Sequence, residues 1–387
     1  MIAPVMPTYN RTPLEFERGE GAWLTSTDGR RFLDFGAGIA VNVLGHAHPR
    51  LVAAIKAQAE RVWHVSNLYE IPEQRRLAEA LVDATFADTV FFTNSGTEAA
   101  ELAIKMVRKH GRPRILAFEG AFHGRSTGAI AAAGGKLVEG FGALMPGFEQ
   151  LAWGDHDAFE AAMDETVAAV FVEPVQGEGG IRVLPDACLK GIREACDRVG
   201  ALLVLDEVQC GMGRTGHLFA HERAGIAPDV MMVAKGIGGG FPLGAVLATE
   251  AAAAPMVAGT HGSTYGGNPL GCAVGLAVME TVATDAFLAE VRAKAGFLAQ
   301  RLAGVAAAHP DLIEGVRGEG LMLGLRLAEG HAPAVLVEAA RAEGLLLVPA
   351  ADRVVRLLPP LSITEAELAE GCQRLDRAAS SVEKAAA

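Results

Sequence analysis

The chain is short of cysteine, of positive charge and of long apolar runs, and each shortage removes a class of protein. It has five cysteines, Cys188, Cys196, Cys210, Cys272 and Cys372. The odd count and the absence of any CxxC pair argue against a disulfide framework and a zinc site, so no metal is expected and a reducing cytoplasm fits. Lysine and arginine number 34 against 46 acidic residues, a net charge of −12. A nucleic-acid partner demands a basic face, so none is expected. No run reaches the roughly 18 apolar residues that a membrane span needs, and no membrane association is expected. Met1–Asn10 lacks a basic start and a long apolar run, so no signal peptide is expected either.

What is present is a large reserve of core. Half of the 387 residues are hydrophobic (50%) and 21% are charged. That is too little charge for a disordered chain and enough length for about two or three domains. Between about residues 85 and 290, short apolar runs alternate with amphipathic stretches. Thr89–Phe92, Arg114–Phe118, Ala168–Val172, Leu202–Leu205, Val230–Val233 and Ala245–Ala248 read as strands. A helix opens at Ser95, places Ala99, Leu102, Ala103, Met106 and Val107 on one face, and ends by Gly111. Continuous apolar strands mean cover on both faces, and strand–helix alternation predicts an α/β fold with a mostly parallel open sheet. After about residue 290 the pattern changes. Leu321–Leu327, Leu345–Val348 and Val354–Leu358 read as strands, and Ala334–Ala342 and Thr364–Arg377 as helices. The expected organisation is an N-terminal segment (1–48) packing on a small α+β domain (291–387), with a large domain (49–290) between.

Two strand ends carry chemistry. Leu202–Leu205 runs into Asp206, and Val230–Ala234 runs into Lys235, 29 positions later. Open α/β sheets bind ligands at the carboxyl ends of their strands. The plain alternatives are an aspartate capping a turn and a surface lysine beside the Gly236–Gly240 loop. Pyridoxal phosphate chemistry needs such a pair: an amine to condense with the cofactor aldehyde and shuttle a proton, and an anion to keep the pyridine nitrogen protonated. Ser95-Gly96-Thr97 lies between a strand and a helix, where backbone N–H groups and the Thr97 hydroxyl suit a phosphate; an ordinary N-cap has the same appearance. Gly211-Met212-Gly213-Arg214-Thr215-Gly216 matches GxGxxG. A dinucleotide site would need a helix at once and an acid about 20 positions on. His217–Gly225 is a poor helix start and Asp229 follows Gly216 by 13 positions, so a nicotinamide-dependent oxidoreductase is disfavoured.

Leu205-Asp206-Glu207-Val208-Gln209, followed by Gly213-Arg214-Thr215-Gly216, Asp229 and Lys235, resembles the signature of the class III aminotransferases. The likeness extends through Phe122-His123-Gly124-Arg125, Glu173-Pro174-Val175-Gln176-Gly177-Glu178-Gly179-Gly180, His261 to Pro269 and Arg356-Leu357-Leu358-Pro359-Pro360, and covers essentially the whole chain. It implies a fold-type I PLP-transferase with pyridoxal 5′-phosphate as cofactor. By that resemblance Lys235 is the Schiff-base lysine and Asp206 pairs with the pyridine nitrogen. Phe122 stacks on the ring, Ser95, Gly96 and Thr97 hold the phosphate, Gln209 lies near the phenolic oxygen, and Glu173 supports the site. Thr264 reaches in from the partner of a homodimer with shared active sites. Arg125 binds a substrate carboxylate, with Ser263 also on the substrate side. Arg356 binds the carboxylate of the oxo-acid half-reaction and Glu178 modulates it.

Within the class, the short N-terminus, Gly38–Asn42, Gly45–Pro49 and Asp83–Asp88 resemble the subgroup acting on acetylornithine. The implied reaction converts N2-acetyl-L-ornithine and 2-oxoglutarate into N-acetyl-L-glutamate 5-semialdehyde and L-glutamate, a step of arginine biosynthesis. Succinylornithine, succinyldiaminopimelate, ornithine and 4-aminobutyrate are the rival donors. One substrate presents its carboxylate far from the reacting amine and the other beside it. Two arginines at different depths, one masked by a movable glutamate, answer that need. Gly36-Ala37-Gly38 is a candidate space for the acyl group, or simply a glycine turn, and Tyr9-Asn10-Arg11 a candidate substrate contact.

Overall fold

A computed structural model describes residues 4–386. Met1–Ala3, part of the stretch where no signal peptide is expected, and Ala387 lie outside the described residues. The largest sheet has seven strands in the order Thr89–Thr93, Gly244–Ala248, Val230–Val233, Leu202–Asp206, Val167–Val172, Arg114–Phe118 and Phe148–Leu151. All run parallel except Gly244–Ala248, which is antiparallel to both neighbours. The central strands are buried on both faces, which is why they read as unbroken apolar runs. Alternate residues feed opposite layers. Leu203 and Leu205 pack with Leu189, Ile192 and Cys196, whereas Val204 packs with Leu102, Ile104 and Met106.

The small α+β part has an antiparallel sheet ordered Ile313–Glu319, Met322–Leu327, Val354–Leu357 and Val348–Ala350. The N-terminal strands Phe16–Glu20, Trp23–Ser26 and Arg31–Asp34 form a separate sheet completed by Leu345–Leu346, which pairs parallel to Arg31–Asp34. The expected single strand Leu345–Val348 is therefore two strands in two sheets, switching at the buried Leu347. Ile313–Glu319, with two glycines and three charges, carries no strand pattern of its own; pairing with Met322–Leu327 creates it. Phe148–Leu151 is likewise an edge strand that sequence reading passed over. Helices Pro269–Val282 and Asp285–Ala308 meet at 71°, and among the described residues no single helix is long and apolar enough to cross a membrane.

The C-terminal helix runs Glu365–Ala386, beyond the expected Arg377, because Ala378, Ala379 and Val382 continue its buried face. Its end is fastened to the preceding long helix by His309, whose Nδ1 meets Glu383 Oε2 at 2.8 Å and whose Nε2 meets Asp376 Oδ1 at 3.1 Å. Burial alone would lower the His309 pKa, but the bonds to Glu383 and Asp376 raise it above the ordinary 6.5. A raised folded-state value means the clamp contributes fully below pH 6.5 and is lost as the pH climbs through that value. The Tm difference between wild type and His309→Ala should be largest at mildly acidic pH and shrink as the pH rises. Calorimetry across a pH series checks this, and a difference that grows with pH would contradict it.

Candidate active site

Strands Leu202–Asp206 and Val230–Val233 are parallel neighbours, with Asp206 opposite Met232. Their shared direction brings Asp206 and Lys235 to the same edge of the sheet. Both side chains line one cavity of about 710 Å³, together with Ser95, Gly96, Thr97, Phe122, Arg125, Glu173, Glu178 and Gln209. Lys235 has a φ of +49°, a left-handed conformation that costs a non-glycine residue roughly 1–3 kcal/mol. Burial pulls its pKa down; Asp206 and Glu178 oppose that shift, Arg356 reinforces it, and the net direction is downward. The outcome enlarges the share of neutral, nucleophilic amine.

Asp206 is held from two sides. Its Oδ2 lies 2.7 Å from His123 Nδ1, and its Oδ1 accepts the Val208 N–H at 3.0 Å. Burial would lower the His123 pKa, but the bond to Asp206 and the charges of Asp206 and Glu173 outweigh it and raise the pKa. The imidazolium so favoured sets a positive charge against the Asp206 carboxylate. His123 Nε2 is buried and has no partner among the described residues. Sequence reasoning gave His123 no role; its one signal was its place in Phe122-His123-Gly124-Arg125. Glu173 Oε2 accepts the Phe122 N–H at 3.0 Å and so fixes the backbone beneath that ring. Burial pushes Glu173 above the usual carboxylate range, against the nearby His123 and with the nearby Asp206.

The 14-residue helix Gly96–Lys109 begins at the cavity. Ser95 is its N-cap, with Oγ accepting the Glu98 N–H at 3.3 Å, so the capping and cavity readings of this residue coincide. Thr97 Oγ1 accepts the N–H groups of Arg125 and Ser126 at 2.8 and 3.3 Å, which leaves its own O–H to donate. At Gly96 a Cβ would come within 2.9 Å of Val208 Cγ1. A helix N-terminus, a free hydroxyl donor and a glycine that lets the chain pass close make a cradle for a phosphate.

Arg356 is 1% exposed and Glu178 36% exposed. Arg356 Nη1 donates to Glu178 Oε1 at 2.7 Å and to Gln209 Oε1 at 3.2 Å, and Nη2 donates to the Pro349 carbonyl at 3.2 Å. Arg125 is exposed, with its guanidinium 5.4 Å from the centre of the Phe122 ring. The two arginines thus lie at different depths. Ser263 and Thr264 do not line this cavity within the one chain. Ser263 Oγ accepts from Asn94 Nδ2 at 3.3 Å, and Asn94 does line it; Thr264 is exposed. Gly36–Gly38 do not border the cavity either, and Val41 does instead. The chain reaches Val41 through a left-handed turn, Ala37–Ala40, pinned where Asp34 Oδ1 accepts the N–H groups of Gly36 and Ala37 at 2.9 Å each. Tyr9 is exposed under Arg11, and neither meets the cavity. Gly211–Gly216 leads into no helix, only the short 3-10 turn Ala220–Ala224.

Residues 5–379 match the family model for class III aminotransferases. The chain belongs to the class III aminotransferases. An acetylornithine aminotransferase of Rhodobacter capsulatus is 66% identical over 99% of each chain. The solved N-acetylornithine aminotransferase of Stenotrophomonas maltophilia superposes with a TM-score of 0.85 at 41% identity, covering 98% of each chain. The solved ornithine aminotransferase of Toxoplasma gondii, with PLP in partial occupancy at its active site, gives 0.93 at 30% identity, covering 97% of this chain and 92% of that one. The cofactor of this class III aminotransferase is pyridoxal 5′-phosphate. The residues fit it: the Gly96 cradle for the phosphate, a neutral-leaning amine for the aldehyde, and a buried carboxylate for the ring nitrogen.

Gly124 tests the cradle. Its φ is +131°, and a Cβ there would collide with Thr97 Oγ1. Gly124→Ala should displace Thr97 at a cost of roughly 1–3 kcal/mol. The variant should lose visible cofactor absorbance on dialysis where the wild type keeps it; equal retention would contradict the assignment.

Proposed function

We propose that this aminotransferase moves the terminal amino group of N2-acetyl-L-ornithine to 2-oxoglutarate, giving N-acetyl-L-glutamate 5-semialdehyde and L-glutamate. Arginine biosynthesis is the pathway served. The observation that carries the reading is the 2.7 Å pair between Glu178, which lines the cavity that holds Lys235, and the buried Arg356 behind it. The family names of the relatives support the same donor.

When bound, pyridoxal phosphate supplies an electron sink for the substrate carbanion. The protein does the rest. Lys235 Nζ, the neutral amine that burial favours, would hold the cofactor aldehyde, and as a free amine it could take up and return a proton at Nζ beside the substrate. Asp206, bonded to His123 Nδ1, would face the pyridine nitrogen. Ser95, Gly96 and Thr97 would hold the phosphate, Phe122 would cover the ring face and Gln209 would lie toward the phenolic oxygen, while Glu173 holds the Phe122 backbone in place.

Carboxylate recognition follows depth. With a donor whose carboxylate lies far from the reacting amine, Glu178 stays on Arg356, and the exposed Arg125 takes the distant carboxylate with Ser263 nearby. With glutamate or 2-oxoglutarate, Glu178 swings toward solvent and Arg356 binds the α-carboxylate as a fork.

The same reading includes a homodimer in which Thr264 serves the partner's phosphate. Thr264 lies beside the exposed Tyr265, and the segment 62–69 that meets this loop carries the exposed Val62, Trp63, Leu68 and Tyr69. His64 and Tyr265 have ring centres 5.1 Å apart, and Asn67 Nδ2 donates to the carbonyls of Ser263 and Gly266, so these segments form one patch of the kind that marks an interface. We read the chain as an N-terminal segment (1–48), a large cofactor domain (49–290) and a small domain (291–387), at work in the cytoplasm, where free thiols such as its five cysteines persist.

A donor panel tests the substrate. Acetylornithine should give the highest kcat/KM, and ornithine or 4-aminobutyrate exceeding it by about tenfold would overturn the reading. Lys235→Ala should abolish turnover with every donor, whereas retained turnover would exclude Lys235 as the reacting amine.

A further inference from the structure

The Gly211–Gly216 run lies between the cavity residue Gln209 and the 3-10 turn Ala220–Ala224, and no part of it touches the cavity. It is pressed against the C-terminal third of the chain instead. At Gly213, with φ +83°, a Cβ would come 2.7 Å from Val282 Cγ1 and 3.1 Å from Leu361 Cδ1. At Gly216, with φ +86°, it would come 2.5 Å from Arg292 Cγ. The glycines that mimic a phosphate-binding fingerprint are there for close packing.

Between them sits Arg214, among the largest fully buried side chains, at 1% exposure. Its Nη1 donates to the carbonyls of Leu321 at 3.0 Å and Pro359 at 2.5 Å, and its own carbonyl accepts the Leu321 N–H at 2.9 Å. Its Nε and Nη2 have no partner among the described residues, and no acidic group is close enough to shift it; burial alone pulls its pKa down to about 9. A buried, uncompensated cation is a poor way to stabilise a fold, and an apolar replacement of similar size is often neutral or better. Its contacts suggest another use. Leu321 leads into strand Met322–Leu327, and Pro359 follows strand Val354–Leu357. These strands are paired, with Gly324 opposite Arg356. Arg356 Nη1 in turn donates to Gln209, five residues before Arg214. The path from Arg356 through Gln209 and Arg214 to Pro359 and back closes on itself.

We propose that Arg214 is a positioning residue that sets the place of Arg356 behind the cavity residues Glu178 and Gln209, and thereby the binding of the α-carboxylates of glutamate and 2-oxoglutarate, without touching substrate. This rests on the reading of Arg356 as the α-carboxylate site.

The test compares half-reactions of holoenzyme by cofactor absorbance, with glutamate or acetylornithine as donor, in wild type, Arg214→Met, Arg214→Lys, Arg356→Ala and the Arg214→Met/Arg356→Ala double variant. Arg214→Met should raise KM for glutamate about tenfold and leave acetylornithine within about twofold. Arg214→Lys, which keeps a donor, should move the same way by less, and it serves alone if Arg214→Met does not fold. In the Arg356→Ala background, Arg214→Met should add nothing. Equal losses in both half-reactions, or no change with glutamate while Arg356→Ala does raise its KM, would overturn the role of Arg214 alone. If Arg356→Ala leaves the glutamate KM unchanged, the reading of Arg356 fails and the positioning claim falls with it.

Discussion

A carboxylate and an amine at the ends of adjacent parallel strands organise this molecule. Asp206 and Lys235 are carried to one sheet edge by strands whose side chains are otherwise apolar and buried. In that low-dielectric setting Lys235 does not behave as it would in water. Asp206 is hydrogen-bonded by His123 and a backbone N–H, while burial drives Lys235 toward the neutral amine. The sheet supplies position, and the exclusion of water supplies reactivity.

Around this pair the chain distributes anion recognition by distance. The phosphate cradle belongs to the helix start at Ser95-Gly96-Thr97, stitched to the Arg125–Ser126 backbone through Thr97 Oγ1. Two arginines stand at different depths beside it, Arg125 at the surface and Arg356 in the interior. Arg356 comes from the small sheet and its partners Glu178 and Gln209 from the large-sheet region, so the substrate side of the cavity is a joint between the two. A net acidic protein can bind acidic substrates because its cations are placed locally.

Much of this was legible in the chain itself, and the exceptions have causes. Strands buried on both faces announce themselves as apolar runs, so Val167–Val172, Leu202–Asp206 and Val230–Val233 were found to within a residue. Ile313–Glu319 and Phe148–Leu151 take their conformation from a neighbouring strand, and no local pattern encodes that. Arg356 and Glu178 are 178 positions apart, so resemblance suggested their pairing and only folding shows it, at 2.7 Å. His123 escaped notice because a buried imidazole beside a buried carboxylate looks like any other histidine in sequence. The glycine run 211–216 was rightly set aside as a dinucleotide site, yet its packing role depends on Val282, Arg292 and Leu361, all far along the chain.

Everything rests on Lys235 Nζ being the amine that takes the cofactor. Borohydride reduction of the holoenzyme followed by peptide mass mapping tests this directly. A pyridoxyl mass increment on the peptide containing Lys235, and on no other lysine, is the predicted result. The increment on a different lysine, with Lys235 unmodified, would contradict the account.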